Sequence, residues 1–259
     1  MMLKNKIKQI LLPFYKVVSN AIFSNNISKY IYLRLATLLS THGIAPLLSP
    51  SAHSAKEKWK RQGEHNTDVS PSTYIQVDKS VPELFKEVMT YIGKNDPILE
   101  IGCNAGRSLN YLYEHGYRNL SGVEIGKEAV ELMKTSFPDL YKNSRIIRGD
   151  ITQVIRDMKT AEFYLVFCHS VLVNIHPRNN YIFKEIARIS KKFILILENE
   201  GSYMAYPRDF KRMFEKQGYT MIVSKVFKSG CSSLAVPFED QDLYKNNTIR
   251  LFVKNKAKP

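Results

Sequence analysis

The chain has 259 residues, 44% of them hydrophobic and 24% charged, enough for one sizeable core with an appendage and no dependence on disulfide or metal staples. Cys103, Cys168 and Cys231 stand far apart, with no CxxC pair or local Cys/His cluster; this excludes a zinc module and a disulfide framework, and points to a reducing, cytoplasmic setting with no metal. The net charge of +14 favours polyanionic partners, yet no compact Lys/Arg block appears, so charge dispersed over solvated faces is the preferred reading.

Residues 1–79 read as a helical extension and linker, and 80–259 as the main domain. In the first stretch Ile7, Ile10, Leu11, Phe14, Val17 and Val18 recur at helical spacing between Lys4, Lys6, Lys8 and Lys16, the pattern of a basic amphipathic helix. It is too short in apolar residues to span a bilayer and lacks a signal-peptide cleavage site. Two uses stay open: peripheral contact with an anionic membrane, or packing on the main domain. Residues 49–72 are polar with Pro and Ser and read as a linker or mobile loop, with Trp59 as a staple onto the domain or, as the alternative, an anchor folding over a ligand.

Ser80 and Glu83 have capping-box spacing, followed by a helical stripe of Leu84, Phe85, Val88, Met89 and Ile92 and a stop at Gly93. Short apolar runs then follow at Ile98–Ile101, Leu120–Ile125, Arg145–Arg148, Phe163–Phe167, Phe193–Leu197, Tyr219–Phe227 and Ile249–Val253. Helical patterns at Ser108–His115, Lys127–Ser136, Asn179–Ile189 and Arg208–Gln217 separate most of them. This alternation predicts an α/β, Rossmann-like fold: a parallel sheet with helices on both faces. Residues 228–247 look like a loop, so the last two of the seven strands are expected to pair antiparallel.

The informative stretch is Glu100-Ile101-Gly102-Cys103-Asn104-Ala105-Gly106-Arg107. A buried strand ends in a glycine turn that opens a helix, where backbone approaches a ligand closely and free N–H groups meet its polar atoms. Glu124, with Ile125 beside it, ends the second strand, and its carboxylate suits both hydroxyls of a ribose. Asp150 ends the third, where it suits an adenine amine, with Ile151 packing near the base. Glu124 and Asp150 are also ordinary helix-capping residues. The glycines are spaced GxxxG and not GxGxxG, which disfavours a dinucleotide.

ExGxxxG, an acidic residue closing strand two and GD closing strand three together resemble the class I S-adenosylmethionine-dependent methyltransferase family, over residues 80–254. The resemblance implies a seven-stranded sheet with its last strand reversed, and S-adenosylmethionine as cofactor. It implies that Glu100, Gly102 and Gly106, in a loop with Cys103 and Asn104, hold the cofactor's amino-acid part, Glu124 its ribose and Asp150 its adenine. Tyr164 stands where the family usually has Asp, and Asn174 where it often has His. Val171-Leu172-Val173-Asn174-Ile175-His176-Pro177 with the following strand is similar to small-molecule or sugar methyltransferases of surface-polysaccharide pathways.

Methyl transfer demands alignment first. Candidates for a base are His169, Glu198 and Glu200, at the ends of strands four and five; His169 reads equally as a side chain lining the cofactor. His176 reads as a structural N-terminal residue of the following turn. The chain lacks the (D/N/S)PP(Y/F) run of nucleobase amino-methyltransferases. A small, glycan- or lipid-linked acceptor is the first expectation; RNA or protein acceptors, and a non-catalytic binding protein on the same fold, are the alternatives.

Overall fold

The computed structural model describes residues 26–61, 70–200, 205–227 and 247–255. The basic amphipathic helix expected over residues 7–18, and Cys231, lie outside these. Seven strands form one sheet: β1 (Ile98–Ile101), β2 (Leu120–Glu124), β3 (Arg145–Arg148), β4 (Phe163–His169), β5 (Ser190–Asn199), β6 (Tyr219–Phe227) and β7 (Asn247–Lys254). Their order is β3-β2-β1-β4-β5-β7-β6. The first five run parallel, and β7 lies antiparallel between β5 and β6. The expected architecture is therefore the observed one, down to the reversed last strand.

Burial explains the order. Every residue of β1 and β2 is buried, as the middle of a sheet covered on both faces requires. β3 exposes Arg145 and Arg148 at the edge, where charge discourages pairing with another chain. One core layer joins Phe183, Ile186, Phe210 and Phe214 to one face of the sheet, and the other joins Leu84, Phe85, Leu109 and Met133 to the opposite face. The chain steps outward from β1 through β2 to β3, then returns to β4 on the other side. The crevice at that reversal, beyond the carboxyl ends of β1 and β4, is where open α/β sheets take ligands.

Two helices belong to the extension: α1 (Asn26–Thr41) and α2 (Ala52–Lys60). The second corrects the linker reading, because part of 49–72 is a capped helix. The Ser51 side chain accepts from the Ser54 N–H at 3.1 Å, and Glu57 pairs with Lys60 and Arg61 one turn on. The capping box also fails. Ser80 lies inside the short helix α3 (Ser80–Phe85), its hydroxyl donates to Asp78, and Glu83 pairs with Lys225. The apolar stripe continues beyond α3 through hydrogen-bonded turns, with Val88 and Ile92 still buried.

The remaining helices are α4 (Arg107–Glu114), α5 (Lys127–Ser136), α6 (Pro138–Lys142), α7 (Ile151–Val154), α8 (Tyr181–Ile189) and α9 (Phe210–Glu215). No helix among the described residues is long and apolar enough to cross a membrane.

Candidate active site

The turn between β1 and α4 is held in a shape few residues adopt. Gly102, Asn104 and Gly106 have φ of 70°, 46° and 86°, the left-handed region that costs other residues about 1–2 kcal/mol. Space is as tight as conformation: a Cβ on Gly102 would stand 2.5 Å from Val171 Cγ2, and one on Gly106 2.8 Å from Met133 Cγ. The Gly102 and Cys103 N–H groups both donate to the Val123 carbonyl, at 2.8 and 3.1 Å. The bend is thereby fixed to the tip of β2.

Glu124 completes that fixation. It is buried, with Oε2 accepting from the Asn104 N–H at 2.9 Å and Oε1 from the Gly126 N–H at 2.7 Å. Burial raises its pKa, and these amides oppose the rise. Ile125, next in chain, is partly buried at the same tip. Asp150 caps α7: its Oδ1 accepts from the Thr152 N–H at 2.9 Å and the Thr152 hydroxyl at 2.7 Å. Its Oδ2 pairs with Lys56 Nζ of α2 at 2.8 Å. Burial works against ionisation there, but Lys56 and Thr152 outweigh it and hold the carboxyl below its ordinary value. Ile151, the first residue of α7, is buried.

Glu100 is the exceptional group. It is buried, and its Oε2 has no hydrogen-bond partner. Loss of hydration pushes its pKa up to about 8, with Ser108, Arg107 and the Leu109 N–H opposing and Glu124 adding to the rise. A buried carboxylate oxygen with no partner costs about 1–3 kcal/mol or more, and such a site fits a cationic ligand group brought to it. One buried acid beside left-handed glycines suits the ammonium of S-adenosylmethionine; the free N–H groups expected of the bend are not there, because the amides of residues 102–106 already bond to Val123, Glu124, the Asn104 side chain and Cys103.

His169 ends β4 facing this region. Burial and the Arg107 guanidinium push its pKa down to about 4, with Asp78 opposing, so the ring is neutral near pH 7. Arg107 and Asp78 were not identified as site residues from sequence. Arg107 is buried; its NH1 donates to Asp78 Oδ2 at 2.8 Å and to the Gln76 carbonyl at 3.3 Å, and its guanidinium lies 5.7 Å from the Tyr74 ring centre. Although burial opposes it, Ser80 and Arg107 hold the Asp78 carboxyl below its usual range. Asp78, Tyr74 and Lys56 all come from the extension, whose apposition to the strand tips no local pattern announces.

The two glutamates at the end of β5, Glu198 within it and Glu200 just beyond, do not present free carboxylates together. Glu198 is fully buried, its Oε1 accepting from the Val171 and Leu172 N–H groups at 3.0 and 2.9 Å and its Oε2 from Val173 at 3.2 Å. Burial raises its pKa to about 7 against the pull of these amides. Glu200 makes a two-pronged pair with Arg250 of β7 at 2.5 and 2.7 Å. Alternation along an extended strand could not reveal this, because the amides that claim Glu198 belong to another segment.

Arg208 completes that clamp. It is buried and donates to the carbonyls of Leu172, Tyr206 and Ile175 and to Asn180 Oδ1. An acid thus holds the amides of the loop after β4 while a base holds its carbonyls. The Asn174 side chain adds a bond to the Ser170 carbonyl at 2.8 Å. His176 accepts from the Arg178 N–H at 3.2 Å, the structural place expected of it. Tyr164 packs edge-on against Phe193, 5.7 Å between ring centres. Both thiols in the described region, Cys103 and Cys168, are buried, and burial drives their pKa values well up.

Residues 98–192 match the family model of a methyltransferase domain. Over these residues the chain carries a methyltransferase domain. Methyltransferases of this class take their methyl group from S-adenosylmethionine. The fold is shared with solved methyltransferases. Magnesium protoporphyrin IX methyltransferase from Synechocystis PCC 6803, solved with bound SAH, is 11% identical, with a TM-score of 0.55 over 79% of this chain and 96% of that one. An S-adenosylmethionine-dependent methyltransferase from Mesorhizobium loti is 11% identical, with a TM-score of 0.53 over 69% and 99%. Another from Methanosarcina mazei is 15% identical, with a TM-score of 0.53 over 66% and 98%. At such identities the likeness concerns fold alone. No curated protein sequence matches the chain.

Proposed function

We propose that this methyltransferase moves a methyl group from S-adenosylmethionine to a small acceptor, glycan- or lipid-linked. The unpartnered Oε2 of buried Glu100 beside the left-handed turn carries the reading of the donor site. In this assignment Glu100 takes the cofactor's ammonium, and the turn of Gly102, Cys103, Asn104 and Gly106, its own amides already bonded to Val123, Glu124 and Cys103, packs closely against the cofactor's amino-acid end. Glu124, a carboxylate with about four acceptor sites, has capacity left for the ribose hydroxyls beyond the Asn104 and Gly126 amides. Ile125 and Ile151 flank the adenine, and Asp150 accepts its amine in place of Lys56.

Bound there, the cofactor supplies an activated methyl group. The chain's task is then alignment and exclusion of water. His169, neutral near pH 7, accepts a hydrogen bond from the acceptor hydroxyl and orients it. Burial and Arg107 disfavour a lasting positive charge on the ring and Asp78 favours it, so the proton that the hydroxyl loses as its oxygen gains the methyl passes by way of His169 to solvent. Glu198 and Arg208 act at one remove, by fixing the loop that presses Val171 onto Gly102. A small acceptor is supported by the roof the extension makes, from Lys56 on Asp150 to Asp78 on Arg107, and by the absence of the nucleobase-type run after β4.

The test is incubation of purified protein and S-adenosylmethionine with fractionated glycan, lipid and RNA pools, read by mass. A product heavier by one methylene in a glycan or lipid fraction, lost in Glu100→Gln, supports the reading. Methylation confined to RNA overturns the acceptor class. No heat on calorimetric titration with S-adenosylmethionine overturns the donor site and favours a non-catalytic scaffold.

A further inference from the structure

Helix α1 is apolar on two sides. Ala36 and Ser40 are buried against the domain, and the end of the helix is tied down there. Asn180 Nδ2 donates to the Ser40 carbonyl at 2.7 Å, and the Asp209 N–H donates to Thr41 Oγ1 at 3.1 Å. The opposite side carries Ile31, Leu35 and Leu38, spaced four and three apart and so on one stripe, with Tyr30 at its margin. The turn after the helix adds Ile44 and Leu47. Each of these six is at least 52% exposed, and together they are six of the ten exposed large hydrophobic residues among those described. Ordinary surface scatter does not concentrate this way, and contiguous apolar patches mark binding surfaces. A helix apolar all round is normally buried all round; here the fold covers one side.

Charge selects the partner. Residues 1–56 contain Lys4, Lys6, Lys8, Lys16, Lys29, Arg34 and Lys56 and not one Asp or Glu, whereas the rest of the chain mixes both signs. An apolar stripe within an exclusively cationic stretch matches a surface that is anionic outside and apolar beneath: a bilayer containing acidic lipids. We propose that the face formed by Tyr30, Ile31, Leu35, Leu38, Ile44 and Leu47 lies on an anionic bilayer. The ties from Ser40 and Thr41 reach Asn180 and Asp209, which follow the carboxyl ends of β4 and β5. The docked helix therefore holds the ligand end of the sheet close to the lipid surface, where a lipid-linked acceptor is within reach. Docking itself stands apart from the donor-site reading; the orientation of the acceptor rests on it.

Co-sedimentation of the full chain with vesicles tests the proposal, using phosphatidylcholine alone and phosphatidylcholine containing phosphatidylglycerol. The protein is expected to pellet with the anionic vesicles and to be released at high ionic strength from those of lower charge. Leu35→Ser with Leu38→Ser should weaken partitioning about tenfold or more and leave the melting temperature and S-adenosylmethionine affinity unchanged. Failure to pellet, or undiminished pelleting of the double variant, overturns the docking. A dimer by light scattering that the double variant abolishes, without vesicle binding, overturns it in favour of a second copy. Capture by an acidic protein in place of vesicles overturns it as well. In the unaltered chain, absence of vesicle binding with measurable donor affinity counts against docking only, and absence of donor affinity with vesicle binding present counts against the donor site only.

Discussion

Replacing Glu100 by Gln keeps the shape of the side chain and removes its charge. In the wild-type chain the carboxyl titrates at about 8 instead of the ordinary 4.5, chiefly through burial. At about 1.4 kcal/mol per pH unit this amounts to about 5 kcal/mol, a ceiling because water entry and relaxation reduce such penalties. The folded-state value lies above the unfolded one, so the stabilising effect of the bound proton is complete below about 4.5 and is lost as pH climbs through about 8. Wild type should therefore melt progressively lower from pH 5 to pH 9, while Glu100→Gln stays flatter. At pH 9 the variant should be the more stable by several kcal/mol, worth roughly 2–4 °C per kcal/mol in a chain of this size. Donor binding should show the opposite preference. At pH 7 a carboxyl titrating at about 8 is about nine-tenths protonated, and an ammonium ligand needs it ionised. Calorimetry of S-adenosylmethionine in two buffers of different protonation enthalpy should thus reveal release of close to one proton, absent in Glu100→Gln, which binds at least about tenfold more weakly. Equal affinity of variant and wild type, or heats independent of buffer, would refute the assignment of Glu100 to the cationic end of the donor.

Gly102→Ala combines a φ of 70° with a Cβ 2.5 Å from Val171 Cγ2, and should cost about 1–3 kcal/mol of stability and most donor affinity; Val171→Ala should restore part of the stability and little of the affinity, read by melting and calorimetry. Lys56→Ala frees Asp150 Oδ2 from its 2.8 Å partner, so S-adenosylmethionine should bind a few times more tightly at low salt, and added salt should narrow the difference from wild type. Glu198→Ala removes a carboxylate that serves three loop amides and leaves Arg208 buried without its nearby counter-charge, a loss of about 3–5 kcal/mol by denaturant titration; activity should fall with it even at temperatures where the variant is folded. His169→Gln keeps a hydrogen-bond acceptor and should lower kcat by less than His169→Ala does, with donor affinity unchanged in both, as activity assays and calorimetry will show.

The strands were legible because their signal is local. Ile98–Ile101 and Leu120–Glu124 are short apolar runs closed by glycine turns, and each needs only its own residues to be read. The glycine turn, Glu124 and Asp150 were legible as a group because successive strand tips of a parallel sheet lie side by side, so order in sequence becomes proximity in space. Position alone did not settle what each side chain does there. Glu198 and Glu200 sit at a strand end like the others, yet one is taken by backbone amides of the loop after β4 and the other by Arg250.

The capping box at Ser80 failed for a related reason. Its spacing was right, but Asp78 took the Ser80 hydroxyl and Lys225 took Glu83, partners that local pattern does not weigh. Lys56, Asp78, Arg107 and Arg208 join elements separated by 29 to 94 positions, and each meets an opposite charge or a carbonyl only once the chain has folded back on itself. Sequence periodicity therefore determined the layers, the strand count and the glycine bend between β1 and α4, since hydrophobic burial and left-handed backbone act over a few residues. Which acids stayed open and which were already taken was decided by tertiary contact alone, because a buried charge is defined by the partner that reaches it.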